Sequence, residues 1–211
     1  MTDRPARLAF VAGTGTAVGK TWLASAVARR LRVGGRRVSA RKPAQSFDPA
    51  EGSTDADVLA AATGELSHDV CPPHRWYARA LAPPMAAADL GAPAFTVDEL
   101  LSELGWPDGV DVGLVEGAGG SRSPIAADGD NVTLACALAP DLVVLVADAG
   151  LGTINAVRLS VDAFAPAPVI VVLNRYDDND AVHRANRAWL TERDGFDVVV
   201  DADATAVRIV P

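Results

Sequence analysis

Lysine is nearly absent from this 211-residue chain: of its 19 basic residues only Lys20 and Lys42 are lysine, and the rest are arginine. In so alanine- and arginine-rich a composition, arginine replaces lysine wherever a cation alone suffices. The two survivors are candidates for positions that need a compact ammonium, which a planar guanidinium does not imitate. For Lys42 taken alone, chance survival is the competing account. Cysteine is equally scarce. Cys71 and Cys136 stand far apart and without metal-ligand spacing. That argues against a disulfide or a zinc site and predicts two small core hydrophobes in a reducing compartment. His68, His74 and His183 have no paired spacing and receive no role, and the Cys71/His74 proximity reads as accidental. Aromatic residues make up only 5%. Trp22, Trp76, Trp106 and Trp189 are too scattered to form a stacking platform and read as packing.

Positive charge is also missing in bulk. The net charge is −8, and the longest basic run, Arg29–Arg37, reads as the solvated end of a helix. Neither a nucleic-acid nor a membrane-surface partner is expected. No apolar stretch reaches spanning length and no basic–apolar–small leader pattern opens the chain, so the expected location is the cytoplasm. What is abundant is apolar content, 49%, enough for a sizeable core without a staple.

That apolar content is arranged as short runs without polar alternation, the pattern of buried parallel strands. They are Leu8–Ala12, Val38–Ala40, Val112–Val115, Leu142–Val146 and Val169–Leu173, with a weaker one at Val198–Val200. Helical patterns lie between them at Lys20–Arg32, Asp55–Thr63, Val97–Leu104, Thr133–Leu138, Asn155–Ala163 and Asp180–Glu192. The alternation predicts right-handed crossovers and a three-layer α/β fold, a mostly parallel sheet with helices on both faces. Ligands in such folds collect at the carboxyl ends of the strands. Ser46–Gly52 and the proline-rich Cys71–Pro93 read as loop insertions. No repeat or linker divides the chain, so one domain over 1–211 is expected.

The stretch GTGTAVGKT (Gly13–Thr21) follows a strand and opens a helix, the context a phosphate loop requires. Backbone N–H groups and the helix N-terminus there attract a polyphosphate. Lys20 reaches the β/γ oxygens and the Thr21 hydroxyl ligates Mg²⁺ in such loops. The spacing is unusual: five residues separate Gly13 from Gly19, where the common pattern has four. Gly15 stands where partitioning ATPases place a signature lysine. The stretch LVEGAGG (Leu114–Gly120) puts Glu116 at a strand tip, where an acid can hold the nucleotide's metal. In ARKPAQS (Ala40–Ser46), the residue before Pro43 is pushed to extended geometry, which fixes Lys42 at a strand end. Asp55 reads as a helix cap or a further metal ligand, with the cap favoured locally. ADAGLGTIN (Ala147–Asn155) is another strand, glycine turn and helix, suited to a carboxylate or phosphate, although Asn155 equally suits an N-cap. Asn174 ends its strand, placed to read a base edge or to cap the turn.

Taken in order, GTGTAVGKT, KPAQS, TDADVL, VEGAGG with its later Ser-Pro, and GLGTIN resemble the dethiobiotin synthetases, over residues 9–175. Each motif alone is weak, but the ordered set is specific. The resemblance implies a P-loop NTPase-like fold and an ATP- and Mg²⁺-dependent ring closure. CO₂ adds to one amine of 7,8-diaminopelargonic acid, the carbamate takes the γ-phosphoryl group, and the second amine displaces phosphate. By resemblance, Lys20 and Lys42 are the catalytic lysines, and Thr21, Asp55 and Glu116 hold the metal, which reverses the local preference for Asp55 as a cap. The nucleotide set runs through Thr16, Ala17, Val18, Gly19, Lys20, Thr21, Trp22, Asp55, Glu116, Gly119 and Asn174. The substrate set is Thr16, Lys42, Ser46, Gly119 and Asn155, with Asn155 serving the neighbouring site of a homodimer.

Two departures stand out. The family's closing segment over the base is replaced by DVVVDADATAVRIVP, which bears on base preference, and the acidic stretch around Asp48 and Glu51 is idiosyncratic. Two rivals are a cobyrinate-type amidoligase and a partitioning-type switch. The first needs a much longer chain with a nucleophilic cysteine, and the second a lysine at position 15 and a basic or amphipathic surface element.

Overall fold

A computed structural model describes residues 4–50 and 52–210; Glu51 of the acidic stretch lies outside them. In chain order the first elements are β1 (Arg7–Gly13), α1 (Lys20–Val33), β2 (Val38–Arg41), β3 (Gln45–Ser46), α2 (Asp55–Thr63), α3 (Ser67–Val70) and β4 (Trp76–Tyr77). Next come α4 (Pro83–Asp89), α5 (Val97–Ser102), β5 (Val112–Glu116), β6 (Pro124–Ala126), β7 (Gly129–Asp130) and α6 (Asn131–Leu138). The last are β8 (Leu142–Asp148), α7 (Thr153–Phe164), β9 (Val169–Asn174), α8 (Ala181–Ala188), β10 (Asp197–Val199) and α9 (Ala202–Ile209).

Six strands form one sheet in the order β10-β9-β8-β1-β5-β2, every pair parallel. The unbroken apolar runs follow from this. Leu8, Phe10 and Ala12 of β1 join a core with α4, α5, α6 and α7, while Ala9 and Val11 join another with α1, α2 and α9. Alternate side chains leave opposite faces of a strand, and here both faces are covered, so each position must be apolar. Full burial of a leucine or phenylalanine contributes about 1.5–3 kcal/mol. Truncating Phe10, which is wholly buried, to alanine is therefore expected to cost about 3–5 kcal/mol.

The layers match the sequence expectation, and the differences are local. The Cys71–Pro93 insertion contains β4, which pairs with β3, and helix α4. Pro83 and Pro84 open that helix, where a missing N–H costs no intrahelical bond, so prolines that read as loop residues start a helix instead. Helix α9 was hidden among aspartates, one of which, Asp201, caps it by accepting from the Ala204 N–H at 2.7 Å. The long pattern Asp180–Glu192 splits into α8 and a π-helical turn over Trp189–Arg193. Cys136 is exposed, a correction to its expected place in the core: in α6, Leu134 and Ala135 face inward and turn it outward. Cys71 is buried as expected, and burial raises its thiol to about 12.

Candidate functional site

The motifs converge at the carboxyl ends of β1, β2 and β5, around a cleft of about 640 Å³. The loop after β1 approaches the strand tips closely. Gly19 has φ 96°, and a Cβ there would come within 2.0 Å of Asn174 Nδ2. Only glycine satisfies both conditions. Thr16, Ala17, Gly19, Lys20, Thr21 and Trp22 line the cleft. Val18 does not line the cleft, and its side chain packs in the core instead. Lys20 curls back to donate to the Gly15 carbonyl at 3.1 Å.

The other lysine is fully buried. Lys42 Nζ donates to Glu116 Oε1 at 2.7 Å and to the Gly117 carbonyl at 3.0 Å, and pairs with Asp55 Oδ2 at 2.7 Å. Burial alone pulls an ammonium pKa down, but the Glu116 and Asp55 charges outweigh it and hold Lys42 above its ordinary value, charged. Lys20 forms no ion pair with these carboxylates, and their charges raise its pKa by less than the opposing effects lower it. Burial, then the Lys42 charge, lowers it to about 8. Asp55 is held below the usual carboxylate range, chiefly by Lys42. Burial pushes Glu116 up against the pull of Lys42. Two carboxylates share one ammonium, and the more deeply buried of them bears the desolvation cost.

Thr21 joins this cluster through its hydroxyl. Its hydroxyl lies 2.7 Å from Asp55 Oδ1 and 2.8 Å from Glu116 Oε1. A hydroxyl has one hydrogen, so it satisfies one of these oxygens and not both. Glu116 Oε2 is buried without a partner. An oxygen-rich set with an orphaned carboxylate oxygen suits a hard divalent cation. Among the described residues, no three His, Cys, Asp or Glu side chains cluster as a metal set by themselves, so a cation held here would need the threonine oxygen beside the two carboxylates. The residues therefore fit Mg²⁺ together with a triphosphate.

Asp55 is not the helix cap favoured on local grounds. Thr54 occupies that position in a capping box with Asp57, which leaves the Asp55 carboxylate for Lys42 and Thr21. Asn155 is not an N-cap either. Gly152 precedes α7, and Asn155 is an exposed residue of its first turn that does not line the cleft of its own chain. The Asn174 amide donates to the Val18 carbonyl at 2.9 Å, bracing the phosphate loop. Ser46 and Gly119 line the cleft beside Phe47, Asp48, Leu81 and Ser123.

Several residues escaped the sequence reading. Asn131 is buried, and its side chain holds the loop after β5, accepting from the Ala118 N–H at 3.1 Å and donating to the Ala118 and Gly120 carbonyls. Ser121 ties the same loop to the Gly13 carbonyl at 3.1 Å. Arg175 lines the cleft, and its position next to Asn174 was the only signal for it.

The AAA domain family profile matches residues 7–200. A dethiobiotin synthetase of Caulobacter vibrioides, named as ATP-dependent, is 44% identical over 151 residues, which cover 68% of this chain and 67% of that one. The protein of the same name from Haloferax mediterranei is 36% identical, covering 89% and 80%. That of Anaeromyxobacter dehalogenans is 36% identical, covering 88% and 86%. Among solved structures, a Borrelia burgdorferi plasmid partition protein superposes with a TM-score of 0.56 at 13% identity, covering 98% of this chain and 96% of that one. The septum site-determining protein MinD of Pyrococcus horikoshii, solved with Mg-ADP, gives 0.52 at 16%, covering 97% and 86%. These structural likenesses concern the fold alone.

Proposed function

The chain belongs to the ATP-dependent dethiobiotin synthetase family, and from that premise we propose that its cleft carboxylates and cyclises 7,8-diaminopelargonic acid to dethiobiotin, a step of biotin biosynthesis. The observation that carries this reading is Lys42, an ammonium buried between Asp55 and Glu116 at the mouth of a phosphate loop.

Thr21, Asp55 and Glu116 hold Mg²⁺, which when bound neutralises charge on the transferring phosphoryl group. The backbone of Thr16–Gly19, with Lys20, Trp22 and Gly119, holds the triphosphate of ATP, and Asn174, buried and outside the cleft lining, serves by bracing that loop instead of reading the base. One amine of the diamine adds to CO₂, losing a proton, and the carbamate oxygen attacks the γ-phosphorus as ADP departs. The second amine then attacks the carbamoyl carbon and phosphate leaves. A carbamate and a triphosphate repel each other, so ammonium groups on either side of the transferring group lower the barrier. Lys20 and Lys42 supply them, both buried where charge is poorly screened. Thr16, Ser46 and Gly119 orient the carbamate and diamine by hydrogen bonds.

The same reading makes the protein a homodimer. Asn155 is exposed and outside its own cleft, and Leu151 and Leu159 near it are 90% and 65% exposed, an apolar face suited to a second copy. The two free thiols suit a reducing cytoplasm, and among the described residues no helix is long and apolar enough to cross a membrane.

The test is incubation with diaminopelargonic acid, bicarbonate, Mg²⁺ and each nucleoside triphosphate in turn, followed by mass spectrometry of the product. Dethiobiotin with stoichiometric phosphate is expected. Triphosphate hydrolysis stimulated by DNA or lipid, without cyclic product, would instead support the switch.

A further inference from the structure

At the end of β9, Arg175 has φ 57°, a left-handed backbone that disfavours any residue with a Cβ. Its guanidinium spans two acceptors. Nη2 donates to the Ala17 carbonyl at 2.8 Å, and Nη1 to Asp148 Oδ2 at 3.0 Å. Asp148 ends β8 and is itself held, its Oδ1 accepting from the Gly150 N–H at 2.9 Å. That bond, reinforced by Arg175, keeps its carboxyl below the usual range. One residue earlier, Asn174 donates to the Val18 carbonyl. Adjacent side chains at one strand tip thus hold adjacent carbonyls of the phosphate loop.

A trans peptide is planar, with its C=O and N–H pointing in opposite directions. Holding the Ala17 carbonyl therefore fixes the Val18 N–H, and holding the Val18 carbonyl fixes the Gly19 N–H. Ala17, at φ 58°, is itself in the left-handed region, so the peptide on its carboxyl side needs an external restraint to keep one orientation. Were it to flip, a carbonyl would face the polyphosphate in place of a donor.

We propose that Arg175 is a positioning residue for nucleotide binding, holding the Ala17 carbonyl so that the Val18 N–H faces the polyphosphate, with Asp148 steering the guanidinium. This rests on the nucleotide-binding reading of the cleft and adds a residue to it. The backbone at 175 favours glycine, and arginine stands there because its planar fork reaches two acceptors at once.

Binding and stability separate this role from a merely structural one. In calorimetry with Mg²⁺ and a non-hydrolysable triphosphate analogue, Arg175→Gly should raise Kd roughly tenfold, the effect of losing one charge-assisted restraint. Its Tm should stay level or rise, because glycine suits the backbone. Inorganic tripolyphosphate should show the same factor, since the contact concerns phosphate and not the base. Arg175→Lys, reaching one acceptor, and Asp148→Asn should each raise Kd by a smaller factor and carry the test if the glycine variant does not fold. Unchanged Kd in all three variants, or a rise for the nucleotide with none for tripolyphosphate, overturns the assignment. A wild-type protein that binds neither probe overturns the nucleotide reading itself and the assignment with it.

Discussion

Lys42 Nζ lies 2.7 Å from Glu116 Oε1, and neither side chain is more than 2% exposed. The pair joins the tips of β2 and β5, neighbours in the sheet, so its geometry is fixed by strand register and not by loop conformation. A buried ammonium held this way stays charged, because the paired carboxylates outweigh the cost of its burial.

Lys42→Arg tests whether ammonium shape matters as well as charge. The guanidinium must enter a space already bounded by Asp55, Glu116 and the Gly117 carbonyl. Overpacking of that kind costs about 1–3 kcal/mol, so the variant should fold with a lowered Tm. Turnover, followed by phosphate release, should fall by roughly 100-fold or more. Rates near wild type would show that any cation suffices.

Thr21→Val removes the third oxygen from the Asp55–Glu116 set while keeping the side chain's shape. The Mg²⁺-dependent part of nucleotide affinity should weaken by about tenfold, the loss of one hard oxygen donor. Affinity measured in excess chelator should be unchanged. If both affinities fall together, Thr21 acts on the phosphate loop and not on the metal.

The layers of the fold and the order of the strands' functional tips were legible because both sheet faces are buried. Ala9–Val11–Leu114 and Phe10–Val115 leave no polar alternation to disguise a strand. Lys42 was legible through its scarcity and Pro43. The position of Asp55 was harder, since Thr54, Asp55 and Asp57 all suit a helix start and only the three-dimensional capping box decides among them. Asn131 and Arg175 were invisible because their partners are backbone carbonyls supplied from other parts of the chain, and no residue pattern records a carbonyl's direction. The Cys136 error has a similar origin. In a short apolar helix such as α6, composition does not say which face the core takes.

Stability against acid should depend on Glu65. Its carboxylate accepts from Ser39 Oγ and from the Ala40 N–H, and pairs with Arg41 at 2.7 Å, while Arg41 stacks over Trp106. Burial pushes the Glu65 pKa up, but these hydrogen bonds outweigh it and lower it below its ordinary value of 4.5. A carboxyl that titrates lower when folded contributes stability fully present above the unfolded value and lost as pH falls through the folded one. Glu65→Gln should therefore cost about 2 kcal/mol at pH 7, the worth of a charge-assisted hydrogen bond. The gap from wild type should close in acid. Urea unfolding at neutral and acidic pH measures it, and a gap that stayed constant with pH would remove the charge from the explanation.

Asn155 gives the homodimer its sharpest test, because it is exposed on α7 and absent from the lining of its own cleft. If each site combines Lys42 of one chain with Asn155 of the other, Asn155→Ala should raise the diamine KM and leave the nucleotide KM unchanged. Mixing that variant with Lys42→Arg, after exchange of subunits, should then restore activity that neither shows alone at low diamine. At equal proportions half of the dimers are mixed, and each of these carries both lesions in one site and none in the other. The recovered rate should therefore approach about a quarter of wild type for a two-fold symmetric pair. Should the mixture show only the sum of its two components, Asn155 acts within its own chain, and the shared site is wrong even if the protein elutes as a dimer.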